Sequence, residues 1–302
     1  MGIGKYIKEI GRGRDGARAL TREQAADLFG QVLDGAVTDL ETGAFCLAMR
    51  IKGETAQEMA GFLDATHARM NRVPVGSGAP VIVIPSYNGA RKLPVLTPLL
   101  ALLLAREGLG VLVHGMASES SRVYTSAVLE ALCISPLQTI QPISAGQVVF
   151  APTGVLCPGL QRLLDVRRVV NLRNSAHSVV KLMNPCAGKS LLVSSYTHPE
   201  YALSMAATFA LMQSNAMLLR GTEGESVADA RRMPQMDAFL LGQKSTLQEA
   251  QSGTLPVLPD LPKSFDAKTT ADYIRGVVDR TIAVPPSIAK QVEHILLLSR
   301  QL

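Results

Sequence analysis

Apolar residues recur at Ala25, Leu28, Phe29, Val32 and Leu33, the i, i+3, i+4, i+7, i+8 spacing of a core-facing helix, and Asp34-Gly35 breaks the pattern. Thr21 stands just before it, with Gln24 three residues on, and the same spacing returns at Thr38/Glu41 and Thr55/Glu58. In each pair the hydroxyl and the longer side chain cap each other's backbone N–H groups, so three capping boxes predict three helix starts. The later two helices are expected to end near Lys52-Gly53 and Met70, and a short helix over Lys5 to Ile10 precedes them. Residues 1–74 thus read as a small helical domain, with Gly76 to Pro80 as a linker.

From Val81 the texture changes to short β-branched runs: VIVIP (81–85), VLVHG (111–115), VVF (148–150), LLVSS (191–195) and AMLLRG (216–221). Helical stretches fit between them at Thr97 to Glu107, Ser120 to Cys133 and Pro199 to Gln213, the alternation of an α/β sheet. Gly253 to Lys263, with three prolines, reads as a loop before a helical tail ending in HILLLSRQL. The expectation is an α/β protein with a small all-helical domain and a large domain around a central, mostly parallel sheet.

A chain of 302 residues with 47% hydrophobic residues is long and apolar enough for a substantial core, which excludes disorder and a disulfide miniprotein. The longest mostly apolar run, Leu93 to Ala105, is too short to span a bilayer, and the N-terminus is charged from Lys5 onward without a signal-peptide core. The expected location is cytoplasmic, with no membrane partner. Cys46, Cys133, Cys157 and Cys186 are widely separated and read as free thiols rather than metal ligands.

Charge alters this picture through its distribution. Lys5, Lys8, Arg12, Arg14 and Arg18 face Glu9 and Asp15; Arg91 and Lys92 stand together; Arg162, Arg167, Arg168, Arg173, Lys181 and Lys189 face Asp165 alone. These segments carry +10, leaving −5 for the rest of a chain whose net charge is +5. Clustered cations suit a polyanion through its phosphates, with weak sequence preference and steep salt dependence; a solvated helix face is the plain alternative. With 7 Phe, 6 Tyr and no Trp, a base-stacking platform is not favoured.

Candidate chemistry sits at strand ends. The loop after the first strand, Pro85 to Lys92, is where α/β proteins bind phosphates, although Pro85 lacks an N–H donor and Tyr87 is bulky. Ser86 and Asn88 make it a polar contact loop, or Asn88-Gly89 makes it a plain turn. His114 ends the second strand, where it can orient a substrate or be structural. Glu223 and Glu225 are weak metal candidates after a later strand. No Walker loop or nucleophile elbow is present, and no predicted strand is followed by a GxGxxG fingerprint.

Leu20 to Ala65, including LTREQAADLFGQVLDG, TGAFCLAMRIKGET and Glu58-Met59-Ala60-Gly61, resembles the N-terminal helical domain of anthranilate phosphoribosyltransferases, kin of class II pyrimidine nucleoside phosphorylases. The similarity continues through His114-Gly115, LEAL (129–132), Arg173, Asn184-Pro185 and Gly221 to Glu225. The resemblance implies that 156–185 is inserted into the helical domain, that 75–155 and 186–302 form the α/β domain, and that the protein is a homodimer. The active-site motifs depart from that family. Its GTGGD loop, which binds phosphoribosyl pyrophosphate, falls at Pro85 to Gly89; only His114 and Gly115 remain of KHGNR; the adjacent Asp-Glu pair for Mg²⁺ is reduced to Glu223 and Glu225.

The substituted forms IVIPSYNGARK, VHG, LRNSAH, HPEY and GTEGE resemble the YbiB-type branch of this superfamily. That resemblance implies non-sequence-specific binding of DNA, or RNA, by a homodimer with no cofactor. The expected contacts are Lys5, Lys8, Arg12, Arg14, Arg18, Arg91, Lys92, Arg162, Arg167, Arg168, Arg173 and Lys181, beside a remnant cleft of Ser86, Asn88, His114 and Arg173. The alternative is a glycosyl or phosphoribosyl transferase with an altered acceptor, using phosphoribosyl pyrophosphate and Mg²⁺.

Overall fold

All three capping boxes close in the computed structural model, which describes residues 2–13, 15–76, 78–117 and 121–302. Helix α1 (Gly4–Ile10) is followed by α2 (Arg22–Asp34), α3 (Asp39–Lys52) and α4 (Ala56–His67), capped by Thr21, Thr38 and Thr55 in turn. Gly35, at φ 71°, ends α2 in the left-handed conformation that glycine adopts without strain. Phe29, Phe45 and Phe62, one from each long helix, are fully buried together, with Phe29 and Phe62 stacked 4.5 Å apart. Glu58 is buried as well; its carboxylate caps Thr55 N, accepts from Leu20 N and pairs with Lys52 Nζ at 2.6 Å.

Beyond β1 (Val73–Pro74), the larger lobe runs β2 (Val81–Ser86), α5 (Thr97–Arg106), β3 (Val111–Gly115), α6 (Thr125–Ala131), β4 (Val148–Pro152) and the single turn α7 (Thr153–Leu156). Helices α8 (Pro158–Val170) and α9 (Ala176–Leu182) then return to the first helices, α8 packing on α2 and α9 on α4. β5 (Cys186–Ala187) pairs with β1, and the chain continues through β6 (Ser190–Tyr196), α10 (Pro199–Leu211), β7 (Ala216–Arg220), β8 (Met236–Leu240), β9 (Gln243–Gln248), α11 (Ala267–Val278) and α12 (Pro286–Ser299).

The main sheet has the order β4-β3-β2-β6-β7-β8-β9, parallel up to β7 and antiparallel in the last two pairings. The central strands are buried on both faces, as parallel strands are. Val83, Leu112, Leu192 and Leu218 share one core with the helical lobe, and Ile82, Val111, Leu191 and Met217 share another with α5, α11 and α12.

The pattern left two features unforeseen. The hairpin β8/β9 escaped because QKSTLQ is a largely exposed edge strand with no apolar alternation, and the β1/β5 pair is too short to leave a period. The helix expected from Ser120 is seen over Thr125–Ala131; Ser120 itself lies outside the described residues. Other ends shift by one to three residues, where helices fray.

Candidate functional site

Winding of the sheet reverses between β2 and β6, so the carboxyl ends of β2, β6 and β7 meet at a switch point, the usual ligand position in open parallel sheets. Three segments converge there: loop 86–92 after β2, residues 196–198 after β6, and the acidic turn 221–225 after β7.

Glu225 is the hub of this convergence. Its buried carboxylate accepts from the backbone N–H groups of Asn88 and Gly89, both at 2.8 Å on Oε1. On Oε2 it accepts from the hydroxyls of Ser86 and of Thr97, the latter at 3.0 Å and at the start of α5. Ser86 Oγ lies 2.7 Å from Thr125 Oγ1. Glu223 repeats the arrangement at the rim, where Oε2 accepts from Arg91 N (2.7 Å) and Lys92 N (3.2 Å). Both oxygens of Glu225 and Oε2 of Glu223 are therefore taken by the chain's own donors, and among the described residues no group of three or more His, Cys, Asp or Glu side chains is placed to hold a metal ion. In this arrangement the donors and carboxylates that would meet a pyrophosphate and its metal are turned onto each other.

The remaining cleft residues are also engaged. Asn88 is buried, donating from Nδ2 to Glu223 O (3.2 Å) and accepting from Arg173 Nη2 (3.4 Å). His114 is fully buried: its Nδ1 lies 2.9 Å from Tyr87 OH, which lies 2.9 Å from Thr153 Oγ1, and Nε2 has no hydrogen-bond partner. Desolvation lowers the His114 pKa to about 3, so the ring is neutral at any physiological pH. It is a buried structural group and not an exposed substrate contact.

Lys181 corrects a second expectation. Its Nζ turns inward to Gly224 O (3.0 Å) and Ser195 O (3.3 Å) instead of joining a surface groove. Desolvation draws its pKa down to about 8, with Glu225 opposing and Arg173 assisting. The physical reason is helical phase, which puts Lys181 on the sheet-facing side of α9.

Arg173 and Lys181 instead line a cleft of about 470 Å³ between the two lobes, with Arg50, His177, Tyr196 and His198 among its walls. His177 is pulled down to about 4 by desolvation and by the neighbouring Arg173 and Arg167. Arg50 was not singled out from the sequence, and His177 and His198 entered only as parts of the motifs LRNSAH and HPEY without a role; only the packing of α3, α9 and α10 brings the three together.

The other basic candidates stand apart from the cleft. Lys5, Arg18 and Arg168 have side chains 67%, 68% and 65% exposed, and Lys8, Arg91, Lys92 and Arg162 are exposed too. Several are paired within the chain: Arg12 with Glu9 at 2.7 Å, Arg168 with Asp165 at 3.0 Å, and Arg162 with Leu33 O at 2.7 Å. Arg167 is only partly exposed, and Arg14 lies outside the described residues.

A helical bundle against a mostly parallel sheet is an architecture this chain shares with the anthranilate phosphoribosyltransferases. The family described as "Glycosyl transferase family, helical bundle domain" matches residues 5–70. The enzyme of Thermus thermophilus superposes with a TM-score of 0.69 at 20% identity, covering 96% of this chain and 85% of that one. The Saccharomyces cerevisiae enzyme in complex with phosphoribosyl pyrophosphate and Mg also gives 0.69, at 13% identity, covering 99% and 89%. In sequence, anthranilate phosphoribosyltransferase of Persephonella marina is 24% identical over 281 residues, covering 91% of this chain and 78% of that protein. The uncharacterized protein YbiB of Escherichia coli (strain K12) is 40% identical over 298 residues, covering 97% and 92%. The chain belongs to the anthranilate phosphoribosyltransferase-like superfamily and, within it, to the YbiB-type branch. No helix among the described residues is long and apolar enough to cross a membrane.

Proposed function

We propose that this protein is a cytoplasmic homodimer that binds DNA, or RNA, without sequence specificity through the phosphate backbone. The observation that carries this reading is where the cations lie. Lys5, Lys8, Arg18, Arg162 and Arg168 are solvent-exposed on the helical lobe and α8, with Lys5, Arg18 and Arg168 beside Asp27, Glu9 and Asp165 in exposed pairs that a phosphate can compete for, while the donors at the sheet's switch point are buried on the chain's own carboxylates. Solvent-exposed cations give polyanion affinity, and buried donors already held by a carboxylate give none.

The test is fluorescence anisotropy with arbitrary-sequence DNA, single- and double-stranded, across a salt series. Log affinity is expected to fall linearly with log salt, with a slope of about −0.9 per duplex phosphate contact. Lys8→Glu with Arg168→Glu is expected to weaken binding equally for all sequences and to flatten that slope; an unchanged slope sinks the assignment.

A second reading is favoured by the cationic cleft of about 470 Å³ and by the activity named in the relatives: a glycosyl or phosphoribosyl transferase with an altered acceptor. It requires the turn 221–225 to leave loop 86–92 and Tyr87 to uncover His114, so that Ser86, Asn88, Arg91 and His114 surround a sugar phosphate and Glu223 and Glu225 receive Mg²⁺. A stabilising thermal shift with millimolar phosphoribosyl pyrophosphate and Mg²⁺ would support it.

A further inference from the structure

The donors around Glu225 form an anion site. Two successive backbone N–H groups, Asn88 and Gly89, converge on one oxygen, and two hydroxyls, one of them on the first residue of α5, converge on the other. Consecutive N–H groups in a tight turn, with Gly89 at φ 67°, beside a helix start are what holds a phosphate in other folds. Here the anion they hold is supplied by the same chain, 137 residues away from Asn88.

The acidic turn is shaped to deliver it. Glu223 has φ 52°, a left-handed conformation that a non-glycine residue adopts at a cost, and Gly224 follows at φ 87°. A Cβ on Gly224 would lie 1.7 Å from Asn88 Nδ2, and one on Gly221 would lie 1.7 Å from Glu225 O, so the turn admits no side chain at either position. Lys181 and Ser195 then hold the Gly224 carbonyl from below, at 3.0 and 2.8 Å. No room for a water molecule is left between residues 89–96 and 222–227. The strained turn, the close glycine contacts and the saturated carboxylate describe one contact, which fills the donor site of loop 86–92 from within the chain.

We infer that Glu225 is a resident substitute for a phosphate group: its carboxylate occupies the anion site of loop 86–92, excludes pyrophosphate and its Mg²⁺ from the closed protein, and on removal leaves a site that accepts a phosphate. The inference does not rest on the proposed nucleic-acid binding, whose carrying cations, Lys5, Lys8, Arg18, Arg162 and Arg168, lie outside loop 86–92.

The experiment is thermal unfolding and calorimetric titration of the full chain with inorganic pyrophosphate, with and without Mg²⁺, against chloride at matched ionic strength. Wild type is expected to show no specific shift at about 10 mM pyrophosphate. Glu225→Ala is expected to melt lower and to recover saturably with pyrophosphate, by about 5 °C at saturation, with acetate as a weaker rescuer that separates carboxylate from phosphate chemistry. Glu225→Gln, which fills the same space without the charge, is expected to melt lower and not to be rescued. Submillimolar pyrophosphate binding by wild type overturns the inference, as does a folded Glu225→Ala that responds no better than wild type. If Glu225→Ala is recovered unfolded, its refolding yield in pyrophosphate against chloride decides the same question: a higher yield supports the inference and an equal yield overturns it. DNA affinity of the variants, measured in parallel, separates failure of this inference from failure of the proposed function.

Discussion

His67, His114 and His177 are held neutral by burial, with pKa values pulled down to about 4, about 3 and about 4 from an ordinary 6.5. As pH falls below 6.5 the unfolded chain takes up protons that the folded protein refuses, so stability is complete above that pH and declines toward the folded values. For His114 the loss is about 1.4 kcal/mol per pH unit once the unfolded ring is largely protonated. His114→Gln keeps a hydrogen-bonding group near Tyr87 OH but cannot titrate. Urea denaturation between about pH 6 and pH 4 is therefore expected to give a stability slope shallower by about that amount; equal slopes would show that His114 is protonated in the fold. The type of this residue was legible in the sequence and its role was not, because whether a strand-end histidine faces solvent or core depends on what Tyr87 and Thr153 do above it.

Among the elements, the helical lobe was the most legible part, since a capping box is a local exchange within four residues and an apolar stripe needs no partner to be recognised. Its tight packing was not legible. Helices α2 and α4 approach so closely that a Cβ on Gly61 would lie 2.2 Å from Arg22 O and 2.8 Å from the Ala25 side chain. Gly61→Ala must push backbone against backbone; an overpacking cost of about 1–3 kcal/mol is expected in chemical denaturation, despite alanine's better helix propensity. A variant as stable as wild type would mean that the two helices slide apart without penalty. Strand β9 illustrates the opposite limit: its polar residues pair because β8 offers an open edge, and nothing in QKSTLQ announces that edge.

At the scale of the whole molecule, α3 leaves Leu40, Leu47 and Ile51 exposed at 84%, 48% and 57% along one stripe. An apolar row of this kind on the outside of the helical lobe is consistent with the proposed homodimer, in which it would be covered by its counterpart. Leu47→Lys with Ile51→Lys is expected to shift the protein from dimer to monomer in sedimentation velocity and to weaken DNA binding by halving the contacts per particle; an unchanged sedimentation coefficient removes α3 from the interface. The sequence by itself determined the class of fold, the three helix starts, the order of the parallel strands along the chain and the segregation of charge, because these rest on periodicities and pairings within a few residues. Only the tertiary structure decided which charges are spent. It turned Lys181 and Arg173 inward, left Lys5, Arg18 and Arg168 exposed in surface pairs with Asp27, Glu9 and Asp165, and brought Glu225 across 137 residues to fill the anion site beside Asn88. A side chain's partner is set by where the sheet order places its strand end, and adjacency of β2, β6 and β7 is a property of the folded sheet that no local stretch of sequence contains.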